Sequence, residues 1–147
     1  VTVEDCLFDG ITLDTQGCIT VGHAQVTPEW TVNNGTINVL IHRNTFSNLK
    51  RRTLWSDVPP EHPYYSNIYE DPANPPSIQA QGIHIGKNGV RVISNTFLSV
   101  EDDTIALELS DGNVSNTTGP VLLKNNRPNT FSMAGSLTGA SLNLIQE

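Results

Sequence analysis

The sequence predicts an all-β fold in which the chain winds as a parallel β-helix, a solenoid of about four coils with one long inserted loop. Three observations lead to this prediction: a short motif recurs four times, its apolar positions alternate, and an Asn recurs at one point of the motif. Equivalent residues of successive coils stack in a solenoid, so a recurring Asn is expected to form a hydrogen-bonded ladder. We expect a single β-helix domain over residues 1–147 that is a fragment or module of a longer chain.

The repeated motif starts at a valine in each copy and reaches a phenylalanine. The first three copies are residues 1–8, 39–46 and 90–97, and an imperfect fourth copy runs from Val121 to Phe131 with three extra residues. The alternating apolar residues at the start of each copy predict a short strand with one buried face. The Phe is expected to point inward and fill the core, and loops of variable length account for the unequal intervals between copies.

One turn position of the motif carries Asn in three copies and Cys in the other. Asn44, Asn95 and Asn126 hold this position in copies two to four, and Cys6 holds it in the first. Asn tolerates unusual backbone angles, and its amide can satisfy the peptide groups of a turn. We therefore expect Asn44 and Asn95 to face inward in adjacent coils. The same position favours a buried thiol for Cys6, and a disulfide with Cys18 in an oxidising compartment is the alternative.

Composition and charge argue against several classes of protein. The chain is 37% hydrophobic and 16% charged, which is too apolar for disorder and too interrupted by polar residues for a membrane span. Its formal net charge of −7 argues against a nucleic-acid partner and against broad attraction to anionic membranes. The sequence has no zinc-type spacing, phosphate-binding glycine loop or Ser-His-Asp signature. An acidic polysaccharide could still bind at a local basic patch or through a bridging metal.

Residues 49–77 interrupt the repeat and form the predicted inserted loop. The segment is rich in proline and aromatic residues and opens with a basic triplet. Aromatic faces suit stacking on sugar rings, and Arg suits bidentate contact with carboxylates or sulfates, so one interpretation is a wall of a glycan-binding groove. The other is a loop packed against the coils or a neighbouring subunit, because the same residue types favour interfaces. The candidate substrate-binding residues of the loop are Arg52, Trp55, Tyr64 and Tyr65.

A row of basic side chains, called here the basic row, is expected on the outward face of the second and third coils. His84 lies between two isoleucines that should point inward, so it should point outward beside Lys87 or Arg91. His42 and Arg43 should reach the surface from the second coil in a similar way. Such a row could recognise an acidic sugar, and His84 with Arg91 could act in proton abstraction. The alternative is that these are ordinary exposed polar residues.

Three neighbouring carboxylates, Glu101, Asp102 and Asp103, precede a predicted strand that begins at Thr104. Their oxygen atoms would suit calcium, and carboxylates this close together can raise one another's pKa for acid catalysis. All three are candidate metal ligands, and the two aspartates are candidate catalytic acids. The alternative is a solvated turn before a strand. Apart from calcium, the sequence predicts no cofactor.

The Asn-Thr-Phe triplets at 44–46, 95–97 and 129–131 resemble those of right-handed parallel β-helix proteins of the pectate lyase-like superfamily. The resemblance covers most of the chain outside the inserted loop, and it implies a right-handed helix. The stretch 102–107 also resembles the paired-Asp motif of polygalacturonase-type hydrolases. The His and Arg-x-Lys motifs that follow the aspartates in those enzymes do not occur after Asp103.

The resemblance implies a carbohydrate-active protein that acts on or binds an acidic polysaccharide, as a lyase or hydrolase. The alternative is a non-enzymatic binding or structural module of a phage tail spike, an adhesin or a surface fibre. Four coils offer only a short groove, which favours the second hypothesis. Either protein is expected outside the cell or on a virion surface. Exposed coil ends must be capped or joined, so a homotrimer or end-to-end stacking with further coils is a further expectation.

Overall fold

The computed structural model describes residues 1–13, 17–21, 38–51, 80–86, 88–108, 120–134 and 144–147. These residues form fourteen strands and no helix, so none of them belongs to a helix that could cross a membrane. The strands are β1 (Thr2–Glu4), β2 (Leu7–Asp9), β3 (Thr12–Leu13), β4 (Gly17–Val21), β5 (Val39–His42), β6 (Thr45–Ser47), β7 (Lys50–Arg51), β8 (Gln81–Ile85), β9 (Val90–Ile93), β10 (Thr96–Phe97), β11 (Ile105–Glu108), β12 (Val121–Lys124), β13 (Ser132–Ala134) and β14 (Leu144–Gln146).

The strands pair in parallel, and successive neighbours in each sheet come from successive copies of the repeat. The largest sheet has the order β1-β5-β9-β12-β14. A second sheet has the order β2-β6-β10, a third has β4-β8-β11-β13, and β3 pairs with β7. We call the chain from one strand of the largest sheet to the next a pass. Passes one to four begin with β1, β5, β9 and β12. The prediction of an all-β chain with parallel strands is therefore confirmed.

The register of the strands follows the sequence repeat. Val90 pairs with Val39 on one side and with Val121 on the other, which matches the alignment of the motif copies. Two positions further on, Val92 lies between Ile41 and Leu123, and all three side chains are fully buried. Parallel strands in register place equivalent residues side by side, so alternate apolar positions become continuous columns of the core.

The three ladder asparagines are buried and bonded to one another as predicted. Asn44, Asn95 and Asn126 are at most 5% exposed. Each Oδ1 atom accepts a hydrogen bond at 2.9 to 3.0 Å from the backbone N of the residue at the same turn position one pass earlier. The donors are Cys6 for Asn44, Asn44 for Asn95 and Asn95 for Asn126. Each Nδ2 also donates to a backbone carbonyl of the preceding pass at 2.9 Å; the acceptors are those of Val3, Ile41 and Val92.

The unusual backbone angle of this turn falls one residue before each ladder residue. Asp5, Arg43, Ser94 and Asn125 have φ values between 54° and 56°. Tolerance of unusual angles was one reason to expect Asn in this turn, but the residue before the Asn takes the left-handed conformation. A left-handed conformation costs a non-glycine residue roughly 1–2 kcal/mol, and the hydrogen bonds of the following side chain hold the turn in this shape.

The repeated phenylalanines form a stack inside the molecule. Phe46 lies between Phe8 and Phe97, with ring centroids 5.0 and 4.9 Å apart and interplanar angles of 10° and 12°. Phe46 is fully buried. In the fourth pass Arg127 pairs with Thr96, and Phe131 packs against the core just before β13.

Cys6 occupies the ladder position but is exposed, so the prediction of a buried thiol is wrong for this residue. Its backbone N donates to Asn44 Oδ1, and its Sγ donates to the carbonyl oxygen of Glu4 at 3.2 Å. β1 is the edge strand of its sheet in the described part of the chain, so Cys6 has a neighbouring pass on one side only. Cys18 is a free, half-buried thiol whose pKa is raised by burial.

Candidate functional site

His84 and Arg91, two described members of the predicted basic row, lie in two different sheets. His84 belongs to β8, where it pairs with Thr20 of β4 and Ala106 of β11. Arg91 belongs to β9 in the largest sheet, where it pairs with Leu40 of β5. The prediction that His84 and Arg91 stack in neighbouring strands is therefore wrong.

His84 is fully buried, which contradicts the prediction that it points into solvent. All five residues of β8 are buried, so both faces of this strand are covered. In a strand covered on both faces, the alternation of side chains does not distinguish core from solvent. His84 Nδ1 donates to Gln81 Oε1 at 2.9 Å. A substrate could reach this imidazole only if the surrounding groups moved.

Arg43 and His42 reach the surface as predicted, but acidic neighbours from the first pass face them. Arg43 Nε donates to Asp5 Oδ1 at 2.7 Å and Nη2 donates to Oδ2. Nη2 also lies 3.3 Å from Glu4 Oε2, and Nη1 donates to His42 Nδ1 at 2.9 Å. The hydrogen bonds to Arg43 hold the pKa of Asp5 below its usual range. An anionic sugar would therefore have to displace Asp5 to bind Arg43.

Arg91 is exposed on the largest sheet and makes a neutral contact. Its Nη2 donates to the Oδ1 atom of Asn38 at 3.0 Å. Within the described residues, no carboxylate forms an ion pair with Arg91. This guanidinium is available to an anion, although it lies apart from His84.

The three candidate metal ligands have different surroundings. Glu101 Oε2 accepts a hydrogen bond from the backbone N of Arg51 at 2.6 Å, and Asp102 Oδ2 accepts one from the backbone N of Ala80 at 3.4 Å. Over the described ranges, no group of three or more His, Cys, Asp or Glu residues is arranged to hold a metal ion. The carboxylates of Glu101, Asp102 and Asp103 are therefore not gathered around one position.

Asp102 and Asp103 share an open cleft of about 200 Å³. Hydroxyl groups of Thr104, Thr130 and Ser132 line the same cleft. Both aspartates are partly exposed, and Thr104 Oγ1 donates to the carbonyl oxygen of Thr130 at 3.2 Å. The cleft offers acceptor and donor groups at the surface, which is the chemistry that a sugar hydroxyl would use.

A larger groove, which the sequence analysis missed, lies beside the ladder turn of the third and fourth passes. Its volume is about 520 Å³, and its lining is Ser94, Thr96, Asn125, Asn126 and Arg127. Arg127 is exposed, and its side chain forms no ion pair within the described part of the chain. The signal in the sequence was Arg127 itself. It follows the ladder Asn of the fourth copy, whereas a Thr follows the ladder Asn of the second and third copies.

The remaining predicted residues lie outside the described ranges. They are Arg52, Trp55, Tyr64, Tyr65 and Lys87. The predicted inserted loop begins too early, because its first three residues are part of the fold. Leu49 is buried and forms a bridge with Val100, and Lys50–Arg51 is strand β7.

Comparison with known proteins gives no relative from which function could be transferred. No protein-family model matches the chain, and neither the curated proteins nor the solved structures contain a significant match. Function must therefore be inferred from the geometry of the described residues.

Proposed function

We propose that the chain forms part of a right-handed parallel β-helix that serves as a non-catalytic, polysaccharide-binding module outside the cell or on a virion surface. The bonded column of Asn44, Asn95 and Asn126 is the observation that carries the scaffold part of this proposal. A ladder with one residue per pass is what stacked coils in register produce. The recurrence of the same sheet order in successive passes supports it as well.

The outer surface supports a polysaccharide as the partner. Two clefts formed by described residues are lined largely by hydroxyl, amide, carboxylate and guanidinium groups, which match the hydroxyls and carboxylates of an acidic glycan. The net charge of −7 would repel a polyanion over most of the surface. An acidic polysaccharide would therefore bind where a cation has no acidic neighbour, as at Arg91 and Arg127.

Binding is favoured over turnover because His84 and Arg91, the candidate pair for proton abstraction, do not converge. His84 is buried in β8, Arg91 is exposed on another sheet, and the two aspartates precede β11. General acid-base catalysis requires the acid and the base to reach the same substrate within hydrogen-bonding distance. Nothing in the positions of His84 and Arg91 provides such a pair.

A polysaccharide hydrolase is the second candidate, and one observation favours it. Asp102 and Asp103 line the same surface cleft, where a substrate could reach both carboxylates. Two carboxylates flanking the scissile bond are the usual requirement for glycoside hydrolysis. Substitution of either aspartate by Asn should abolish turnover if this candidate is correct, while binding at Arg127 should persist.

The test is to incubate the protein with a polyuronate and with a neutral polysaccharide of similar length. Isothermal titration calorimetry measures binding, and assays for new reducing ends and for unsaturated sugars measure turnover. The proposal predicts binding of the polyuronate with no product. New reducing ends would favour the hydrolase and unsaturated sugars a lyase, whereas no binding to any polysaccharide would reject the proposed function. Light scattering in the same buffer tests whether the protein forms a homotrimer or stacks end to end, the two expected assemblies.

A further inference from the structure

We propose that the groove beside Arg127 is the subsite for the carboxylate of an acidic sugar residue. This inference rests on the proposed function and assigns one position on the surface to one part of the ligand. The observations are the 520 Å³ groove, its polar lining and the guanidinium of Arg127, which has no acidic partner among the described residues.

The backbone at Arg127 is held in place from the pass beside it. Its N donates to the carbonyl oxygen of Asn95 at 2.9 Å, and its carbonyl oxygen accepts from the N of Phe97 at 2.8 Å. Thr96 pairs with Arg127 across this bridge, so the hydroxyl and guanidinium side chains start from adjacent points. A fixed backbone reduces the conformational entropy that the subsite loses when a ligand binds.

The left-handed residues Ser94 and Asn125 also line the groove. Both occupy the turn position just before the ladder, with φ values of 56° and 54°. Their side chains line the groove with a hydroxyl and an amide. The groove therefore places hydrogen-bonding groups from two passes around one cation.

Charge distinguishes this position from the equivalent turn of the first two passes. There, the guanidinium of Arg43 is bonded to the carboxylate of Asp5. Arg51 and Lys124 likewise have acidic partners in Glu101 and Glu147. No carboxylate lines the Arg127 groove, so this groove attracts an anion although the chain as a whole carries a net charge of −7.

The lining fits an acidic sugar better than a simple anion. A guanidinium can bind a carboxylate with two parallel hydrogen bonds. The hydroxyls of Ser94 and Thr96 and the amide of Asn125 can donate to and accept from ring hydroxyls beside that carboxylate. The ligand class is therefore a uronic acid residue within the polysaccharide.

The test compares Arg127→Gln with wild-type protein and with Lys50→Gln. Lys50 is exposed in β7, outside the groove, so Lys50→Gln makes the same change of charge elsewhere. Calorimetry with a polyuronate should show at least about a tenfold loss of affinity in Arg127→Gln, because the lost hydrogen bonds are charge-assisted. Lys50→Gln should retain affinity within about twofold, and thermal unfolding should show that both variants are folded.

Four results would overturn the subsite. If wild-type protein binds the polyuronate and Arg127→Gln binds equally well, the subsite is wrong while the proposed function stands. An equal loss in Lys50→Gln would assign the effect to overall charge. If a sulfated polysaccharide without carboxylates binds as tightly as the polyuronate and loses as much affinity in Arg127→Gln, the groove is a general anion site and not a carboxylate-selective subsite. If wild-type protein binds no polysaccharide, the proposed function fails together with the subsite.

Discussion

Asn95 Oδ1 accepts hydrogen bonds from both nitrogen atoms of Asn44, from the backbone N at 2.9 Å and from Nδ2 at 3.0 Å. The two residues are 51 positions apart in the sequence and hold the same place in successive passes. Each side chain therefore satisfies polar groups that the neighbouring pass leaves buried. Because a buried polar group without a partner costs about 1–3 kcal/mol, a shift of register between the passes is strongly disfavoured.

Replacing the central ladder residue should destabilise the protein. Asn95→Leu leaves the backbone N of Asn44 and the carbonyl of Ile41 without their buried partners. We expect the free energy of unfolding to fall by roughly 2–4 kcal/mol, measured by urea denaturation. Asn38→Ala is the control, because Asn38 is exposed and outside the ladder; its effect should be about 0.5 kcal/mol or less. Equal effects of the two substitutions would show that the ladder does not stabilise the fold.

Truncation within the aromatic stack should cost more at its two buried rings, Phe46 and Phe97, than at Phe8. Phe46 is fully buried between two rings, so Phe46→Ala should lower the free energy of unfolding by about 3–5 kcal/mol. Phe97→Ala should fall in the same range, because Phe97 is 7% exposed. Phe8→Ala should cost less, since Phe8 is only half buried. A loss at Phe8 as large as that at Phe46 would contradict this order, which denaturation curves measure directly.

The repeat made the register of the sheets predictable. Aligning the valines that begin the motif copies placed Val39, Val90 and Val121 side by side, as the strand pairing has them. The same alignment placed Asn44 beside Asn95. These predictions succeeded because stacking places residues that hold the same position in the motif next to one another in space.

The candidate site was less predictable because its properties depend on which residues face one another. The partner of Arg43 is Asp5, 38 positions earlier, and it becomes a neighbour only through the pairing of the first two passes. His84 sits in an alternating pattern that predicts exposure, but the second face of its strand is covered. Arg127 was overlooked because the fourth copy of the motif is irregular.

The pair of Asp5 and Arg43 should be visible in an acid titration. Arg43→Gln should raise the pKa of Asp5 towards the usual carboxyl range, followed by NMR through the carboxyl resonance. Because the folded-state pKa of Asp5 is depressed, its contribution to stability is present above about pH 4 and disappears as the pH falls through the folded-state pKa. The difference in urea midpoint between wild-type and Arg43→Gln proteins should therefore shrink at low pH. It should also shrink at high salt, since both side chains are exposed. An Asp5 pKa that is the same in both proteins would exclude this ion pair in solution.

Chemical modification should separate the two histidines that the structure describes. Diethylpyrocarbonate should acylate His42, whose side chain is 25% exposed, and should leave the fully buried His84 unmodified in folded protein. Both should react after denaturation in urea, which serves as the control. Peptide mass spectrometry assigns each adduct. Rapid modification of His84 in the folded protein would restore it as a surface residue and as a candidate catalytic group.

The parallel, in-register stacking of the passes is tested most directly by nuclear Overhauser contacts in solution NMR spectra. The structure predicts contacts between the side-chain amide protons of Asn44 and the ladder turn at Asn95, and between the ring protons of Phe46 and those of both Phe8 and Phe97. Observing both sets would establish that successive copies of the motif lie side by side. If Phe46 instead contacts neither ring, and the amides of Asn44 and Asn95 show no contact, the stacked arrangement is wrong.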